Sequence, residues 1–233
     1  MHHASSHEAG SNSDADSKNG TDIESPDGEG DLAAYDVAPS YAGQSSYGSR
    51  DNYWETRYQD AAPTKDWYGT WDCFGKAIMA ALPPCGMRVL HVGSGTSLLP
   101  EEMHKMGYIN QLATDISPSV VSTMRHRTAH CSGLRWSVED AVAPRYPVGS
   151  FDAVVDKGTF DALSCSGQGY RLIEEMGRVI APGGVYIMIS SLTWARRVFC
   201  ARDIWSGVET LHVAEHGGEG FVHVATRAQP TQP

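Results

Sequence analysis

Arg88-Val89-Leu90-His91-Val92-Gly93-Ser94-Gly95-Thr96-Ser97 is the stretch on which the fold turns. Val89, Leu90 and Val92 form a short apolar run closed by turn formers, the pattern of a strand buried on both faces. Two glycines directly after it let the backbone approach a ligand closely, and a helix that starts there aims its first amides the same way. A dinucleotide site would carry a third glycine at position 98 to admit a pyrophosphate, and Leu98 stands there instead. The loop marks the ligand end of a sheet without naming the ligand.

Outward from it, strand-like and helix-like segments alternate. Upstream, a helix is predicted over about 70–82 and is stopped by Pro83-Pro84. Downstream, a helix over about 98–106 ends at Gly107, and Gln111–Thr114 is a second strand ending at Asp115. Ser117-Pro118 supplies an N-cap with proline at the first helical position, opening a helix to about His130. Leu134–Val138 and Phe151–Val155 read as the third and fourth strands. Leu172, Ile173, Met176, Val179 and Ile180 share one face of a helix over 170–180. Pro182-Gly183-Gly184 then turns the chain into a fifth strand, Val185–Ile189. About 208–213 and 221–226 pair as a hairpin turned at Gly217-Gly218-Glu219-Gly220. The expected fold is α/β: a Rossmann-like three-layer sandwich with a mostly parallel sheet and a C-terminal antiparallel hairpin. A nucleotide-type ligand would lie beyond the carboxyl ends of the strands.

The residues just after those ends carry the chemistry. Asp115 stands 22 residues beyond Gly93, where a carboxylate can accept both hydroxyls of a ribose. The competing account, an acid favouring a helix N-terminus, is weakened because Ser117 already supplies the cap. Glu139-Asp140 follows the third strand; a carboxylate there could take an adenine amino group, or the pair could be a solvated loop. Asp156-Lys157-Gly158-Thr159-Phe160-Asp161-Ala162-Leu163 follows the fourth, and charges at the mouth of a cleft are costly unless paired or used. A structural ion pair is the rival explanation. A glycine loop, a ribose acid, a base-edge acid and a polar loop, in that order, suit a bound S-adenosylmethionine.

Composition bounds the partners. The chain has 233 residues and a formal charge of −10, with nine acids against two bases in residues 1–50. That stretch is Ser, Gly, Asp and Asn with few aliphatics, too little apolar surface to offset an ordering entropy of roughly 1–2 kcal/mol per residue. Residues 1–50 are therefore expected to be a disordered acidic tail and 51–233 the folded domain. His2, His3 and His7 lack neighbouring ligands at fixed spacing, so no metal site is expected. No dense Lys/Arg stripe invites nucleic acid, and no apolar run approaches the ~18 residues of a membrane span. Met1–Ser6 lacks the basic and apolar regions of a secretory signal. Five cysteines, odd in number and without Cys-x-x-Cys, point to reduced thiols in the cytoplasm. The sequence leaves the oligomeric state open.

Tyr53-Trp54-Glu55-Thr56-Arg57-Tyr58, Asp66-Trp67-Tyr68-Gly69, Val92–Ser97, Leu134–Asp140 and above all Asp156–Leu163 carry a family resemblance. Over about residues 51–228 the chain resembles the seven-stranded S-adenosylmethionine-dependent methyltransferases. Within them it is similar to the branch of protein lysine methyltransferases that act on elongation factor 1A. The glycine loop is common to the whole superfamily; the Asp-Lys-Gly-Thr-x-Asp-Ala-Leu run and the Tyr-Trp-x-x-Arg-Tyr opening mark the branch. The resemblance implies that Trp54 and Tyr58 close over the methionine part, with Trp67 on the same wall. It implies that Gly93 approaches by its backbone, that Asp115 holds the ribose with Ile116 beside the adenine, that Asp140 and Ala141 frame the base, and that Lys157 reaches the cofactor. Three features depart from the branch. His91 stands where the branch usually has an aliphatic and is expected to be packed, Ser94 and Thr96 replace Cys and Asn, and the segment between Leu163 and Leu172 is shortened.

The reaction implied is in-line displacement at a sulfonium methyl by a lysine amine of a protein substrate. Free lysine has a pKa of about 10.4, so the site must favour the neutral amine. Trp54, Tyr58, Trp67 and Tyr68 would wall the cations. Asp156, with Asp161 second, is the candidate for orienting the incoming ammonium, unless either simply pairs with Lys157. Rival expectations are another acceptor, protein or small molecule, and a non-catalytic cofactor-binding module.

Overall fold

The computed structural model describes residues 52–59, 66–84 and 86–230. The acidic stretch 1–50 lies outside the described residues. Seven strands form one sheet: β1 (Val89–Val92), β2 (Gln111–Asp115), β3 (Leu134–Val138), β4 (Phe151–Lys157), β5 (Ile180–Ser190), β6 (Trp205–Glu215) and β7 (Gly218–Arg227). Their order is β3-β2-β1-β4-β5-β7-β6. The first five run parallel, and β7 joins β5 and β6 antiparallel.

The helices are α1 (Tyr53–Gln59), α2 (Trp71–Ala81), α3 (Leu99–Lys105), α4 (Pro118–Arg127), α5 (Thr159–Ser164), α6 (Gly169–Val179) and α7 (Ala195–Cys200). They cover both faces of the sheet, which explains why β1 is buried at all four positions. Alternate residues of each strand feed opposite layers. Val154, Tyr186 and Met188 pack with Leu172, Ile173 and Met176 of α6 and Phe199 of α7. Ala153, Val155, Ile187 and Ile189 pack with Phe74 and Ile78 of α2 and Met103 of α3. The period of two in β4 and β5 is thus the reason both layers exist.

Reversal of direction between β1→β2→β3 and β4→β5 creates a switch point between β1 and β4, where Val92 pairs with Asp156. Both strand ends and the loops that follow them open onto the same side of the sheet.

Some expected boundaries shift. Pro182-Gly183-Gly184 does not separate helix from strand: β5 begins at Ile180, and the register against β4 jumps between Phe151 and Ala153, leaving those residues as a bulge. The hairpin turn falls earlier than expected, at His216-Gly217, with φ of 51° and 77°. Two left-handed residues in a two-residue loop match the twist of the flanking strands, so pairing starts at Gly218. The short helices α1, α5 and α7 carry no legible period of their own and are held by packing.

Candidate active site

A cleft of about 900 Å3, its open mouth included, lies over the ends of β1, β2, β3 and β4. That volume suits a nucleoside-sized ligand. Its floor is the glycine loop. Gly93 has φ of 56°, and a Cβ there would collide with the side chain of Thr159, whose hydroxyl donates to the carbonyl of Val92 at 2.8 Å. Only glycine keeps the loop flat against the β4 end. Arg127 braces the loop from behind, donating to the carbonyls of Thr96 (3.1 Å) and Ser97 (2.9 Å) while paired with Glu101.

Asp115 ends β2 with a nearly buried carboxylate. It accepts from the amide of Gly95 at 2.8 Å and that of Ser117 at 2.9 Å. Burial pushes its pKa up to about 6, against the lowering effect of those amides. An anionic carboxylate with acceptor capacity left, facing a cleft, is what a vicinal diol needs. Ile116, Glu139, Asp140 and Ala141 line the same cleft. Asp140 also accepts from the amide of Val142 at 3.1 Å, which fixes its loop, and Glu139 pairs with Arg145 at 3.1 Å.

The remaining wall comes from the aromatic segment. Glu55 of α1 receives the hydroxyls of Ser117 and Ser119, so the helix is fastened to the N-terminus of α4 and the carboxyl is held below its usual range. That fastening sets Trp54 and Tyr58 over the glycine loop, their rings 6.1 Å apart, with the Tyr58 hydroxyl against Gly95. Trp67 lies under the Arg57 guanidinium, 5.8 Å from it. Asp66 pairs with Lys157 and accepts from the Ser97 hydroxyl, tying the segment to both β4 and the loop after β1. Lys157 also donates to the carbonyl of Gly69 at 3.0 Å, and burial lowers its pKa against the pull of Asp66.

Trp54, Tyr58, Trp67, Gly93, Asp115, Ile116, Asp140, Ala141 and Lys157, the nine cofactor residues expected from sequence, all line this one cleft. Lys157 does so with its ammonium turned to Asp66 and Gly69.

Asp156 and Asp161 are placed differently. Neither is among the residues that line the cleft. Asp156 is fully buried and accepts from the amides of Thr159 (2.8 Å) and Phe160 (3.1 Å), the first turn of α5, and from the Tyr186 hydroxyl (2.8 Å). Burial pushes its pKa up to about 7. Asp161 accepts from the hydroxyls of Tyr68 (2.7 Å), Ser190 (2.5 Å) and Ser191 (2.9 Å) and the Ser191 amide (2.9 Å). Neither pairs with Lys157, whose partner is Asp66.

His91 is buried and bonded to Gln111 at 2.6 Å, and burial lowers its pKa to about 4. It is a packed residue beneath the loop. Sequence reasoning missed Ser94, Ser97, Thr159, Ala162 and Leu163, which also line the cleft. The turn of α5 brings Ala162 and Leu163 to the cleft, and a helix that short leaves no signal of its own in the sequence. Among the described residues, no group of three or more His, Cys, Asp or Glu side chains could hold a metal ion. No described helix is long and apolar enough to cross a membrane.

Residues 90–188 match the family model described as a methyltransferase domain. The chain is 37% identical over 153 residues to EEF1A lysine methyltransferase 4 of Bos taurus, covering 60% of each chain. It is 36% identical to the Mus musculus protein of the same name, again covering 60% of each. EEF1A lysine methyltransferase 2 of Mus musculus is 28% identical over 204 residues, 79% of this chain and 80% of that one. Among solved structures, a chain from the complex of the Haloferax volcanii Trm112 methyltransferase activator with a methyltransferase superposes with a TM-score of 0.61 at 15% identity, covering 81% of this chain and 100% of that one. The [4+2]-cyclase SpnF superposes at 0.56 with 16% identity, covering 74% and 92%. The last likeness shows that this fold alone does not decide the reaction.

Proposed function

We propose that the chain is a class I methyltransferase that binds S-adenosylmethionine and transfers the methyl group to a lysine of a protein substrate. The observation that carries the reading is the convergence of the glycine loop, Asp115, Asp140–Ala141 and the aromatic wall on one cleft. The residues fit the cofactor: a buried carboxylate for the ribose, Ile116 and Ala141 for the flat base, and aromatic faces for a cation.

When bound, S-adenosylmethionine would supply an electrophilic methyl on a sulfonium, taken in line by the amine with S-adenosylhomocysteine as the leaving group. The chain's own residues position and desolvate. Trp54, Tyr58 and Trp67 exclude water from the reacting end, and the Glu55 and Asp66 contacts hold that wall in place. Asp156 fixes the first turn of α5 and Asp161 fixes Tyr68, so both act through other groups. The elongation factor 1A lysine methyltransferases are the relatives whose names suggest the acceptor, and that factor is the substrate we infer. The four free cysteines among the described residues are consistent with a cytoplasmic setting.

The shortened connection between α5 and α6, only residues 165–168, favours a second reading, methylation of another protein or of a small molecule. Calorimetric titration with S-adenosylhomocysteine tests the cofactor. Methyl transfer to purified elongation factor 1A, mapped by mass spectrometry, tests the acceptor. Absence of any adenosyl binding sinks the reading; binding with transfer only to other molecules selects the second.

A further inference from the structure

The two carboxylates expected to orient the acceptor stop short of the cleft, and one residue spans the gap. Tyr68 lines the cleft and donates its phenolic proton to Asp161 at 2.7 Å. Asp161 is only 8% exposed and is ringed by donors, Ser190 and Ser191 besides Tyr68, so its position is fixed. The carbonyl of Tyr68 accepts from the Glu219 amide at 2.9 Å, which pins the residue to the start of β7. Its φ of 66° is one a tyrosine keeps only where the surroundings over-determine it. The ring edge passes 3.2 Å from where a Cβ on Gly158 would stand, and the hydroxyl 3.7 Å, at the corner of the cleft beyond β4. A phenol whose proton is committed to a carboxylate is polarised, and its oxygen is a stronger acceptor toward a third group.

We propose that Tyr68 is the group that touches the acceptor nitrogen: its oxygen accepts an N–H from the amine and so aims the nitrogen lone pair at the transferable methyl. Asp161 is the positioning residue behind it. The proposal rests on the lysine-methyltransferase reading and deepens it by assigning the contact at the acceptor's reacting atom. It explains a backbone held in an unfavourable conformation at the rim of a site, where an ordinary wall residue would need no such arrangement.

The test uses two adenosyl ligands and needs no protein substrate. In sinefungin a carbon replaces the sulfonium sulfur and its amine stands in place of the methyl, so it puts an N–H donor at the transfer point; S-adenosylhomocysteine has none. With Tyr68→Phe, sinefungin affinity should fall about tenfold or more while S-adenosylhomocysteine affinity stays within about twofold, the loss expected for a hydrogen bond to a charged group. Asp161→Asn should lower the same ratio by a smaller factor. An unchanged ratio in Tyr68→Phe overturns the proposal. Equal loss of both ligands in both variants also overturns it, since Tyr68 is then a prop for the wall. A wild-type chain that binds neither ligand overturns the methyltransferase reading and the proposal with it, a result distinct from the other two.

Discussion

Asp115 and Asp156 are both buried acids at strand ends, yet their surroundings assign them different work. Asp115 faces the cleft, so Asp115→Ala should weaken S-adenosylhomocysteine binding about tenfold to a hundredfold, the range for charge-assisted hydrogen bonds, as read by calorimetry. Asp156 faces inward, so Asp156→Ala should act on stability. It strands the Tyr186 hydroxyl and uncaps α5, which together cost about 3 kcal/mol, a fall in Tm of roughly 6–12 °C for a domain of this size by thermal melting. Sequence spacing put Asp115 at the cleft because the acid closes the strand that follows the glycine loop and its helix, at the carboxyl edge of the sheet. It could not separate Asp156 and Asp161 from the cleft, because a strand's last residues alternate between inward and outward without the motif stating the phase, and Asp161 falls on α5, a helix too short to show a face in the sequence. The partner of Lys157 was hidden for a related reason. Asp66 is remote in sequence and joins it only through the fold.

Elements with a period were legible and short ones were not. β3 is read to the residue, and α4 starts at Pro118, where Ser117 accepts from the Val120 amide as the cap chemistry predicts. The helices α1, α5 and α7 are too short to show a face, and their existence depends on what they pack against. For α1 that dependence is concentrated in one side chain. Glu55→Ala releases the hydroxyls of Ser117 and Ser119, so α1 should open to proteolysis and adenosyl affinity should drop several-fold. The melting temperature should hardly move, because α1 buries no residue. A matching fall in both measurements would show that α1 belongs to the core.

For the molecule as a whole, binding and acidity are linked. At a hundredfold excess over Kd, S-adenosylhomocysteine should stabilise the chain by about 2.7 kcal/mol, a rise in Tm of roughly 5–11 °C. That increment should shrink as pH falls from 7.5 to 5. Asp115 and Asp156, with pKa values raised to about 6 and about 7, contribute stability that is fully present below the unfolded carboxylate range and lost as pH rises through those values. The free chain therefore gains from both groups on acidification. The bound chain does not gain from Asp115, which must stay ionised to hold the diol. Buried His91, lowered to about 4, pulls the other way in free and bound chains alike and leaves the difference intact. A scanning-fluorimetry series with and without ligand checks the sign, and Asp115→Asn should flatten it. The wall of the cleft is stitched at Glu55 to one helix and at Asp66 to the fourth strand, and under the proposed function the loosening of a stitch is expected to pace the departure of spent ligand. Rapid quenching should reveal a burst of one methyl per chain, followed by a slower steady state whose pace is that of unlacing.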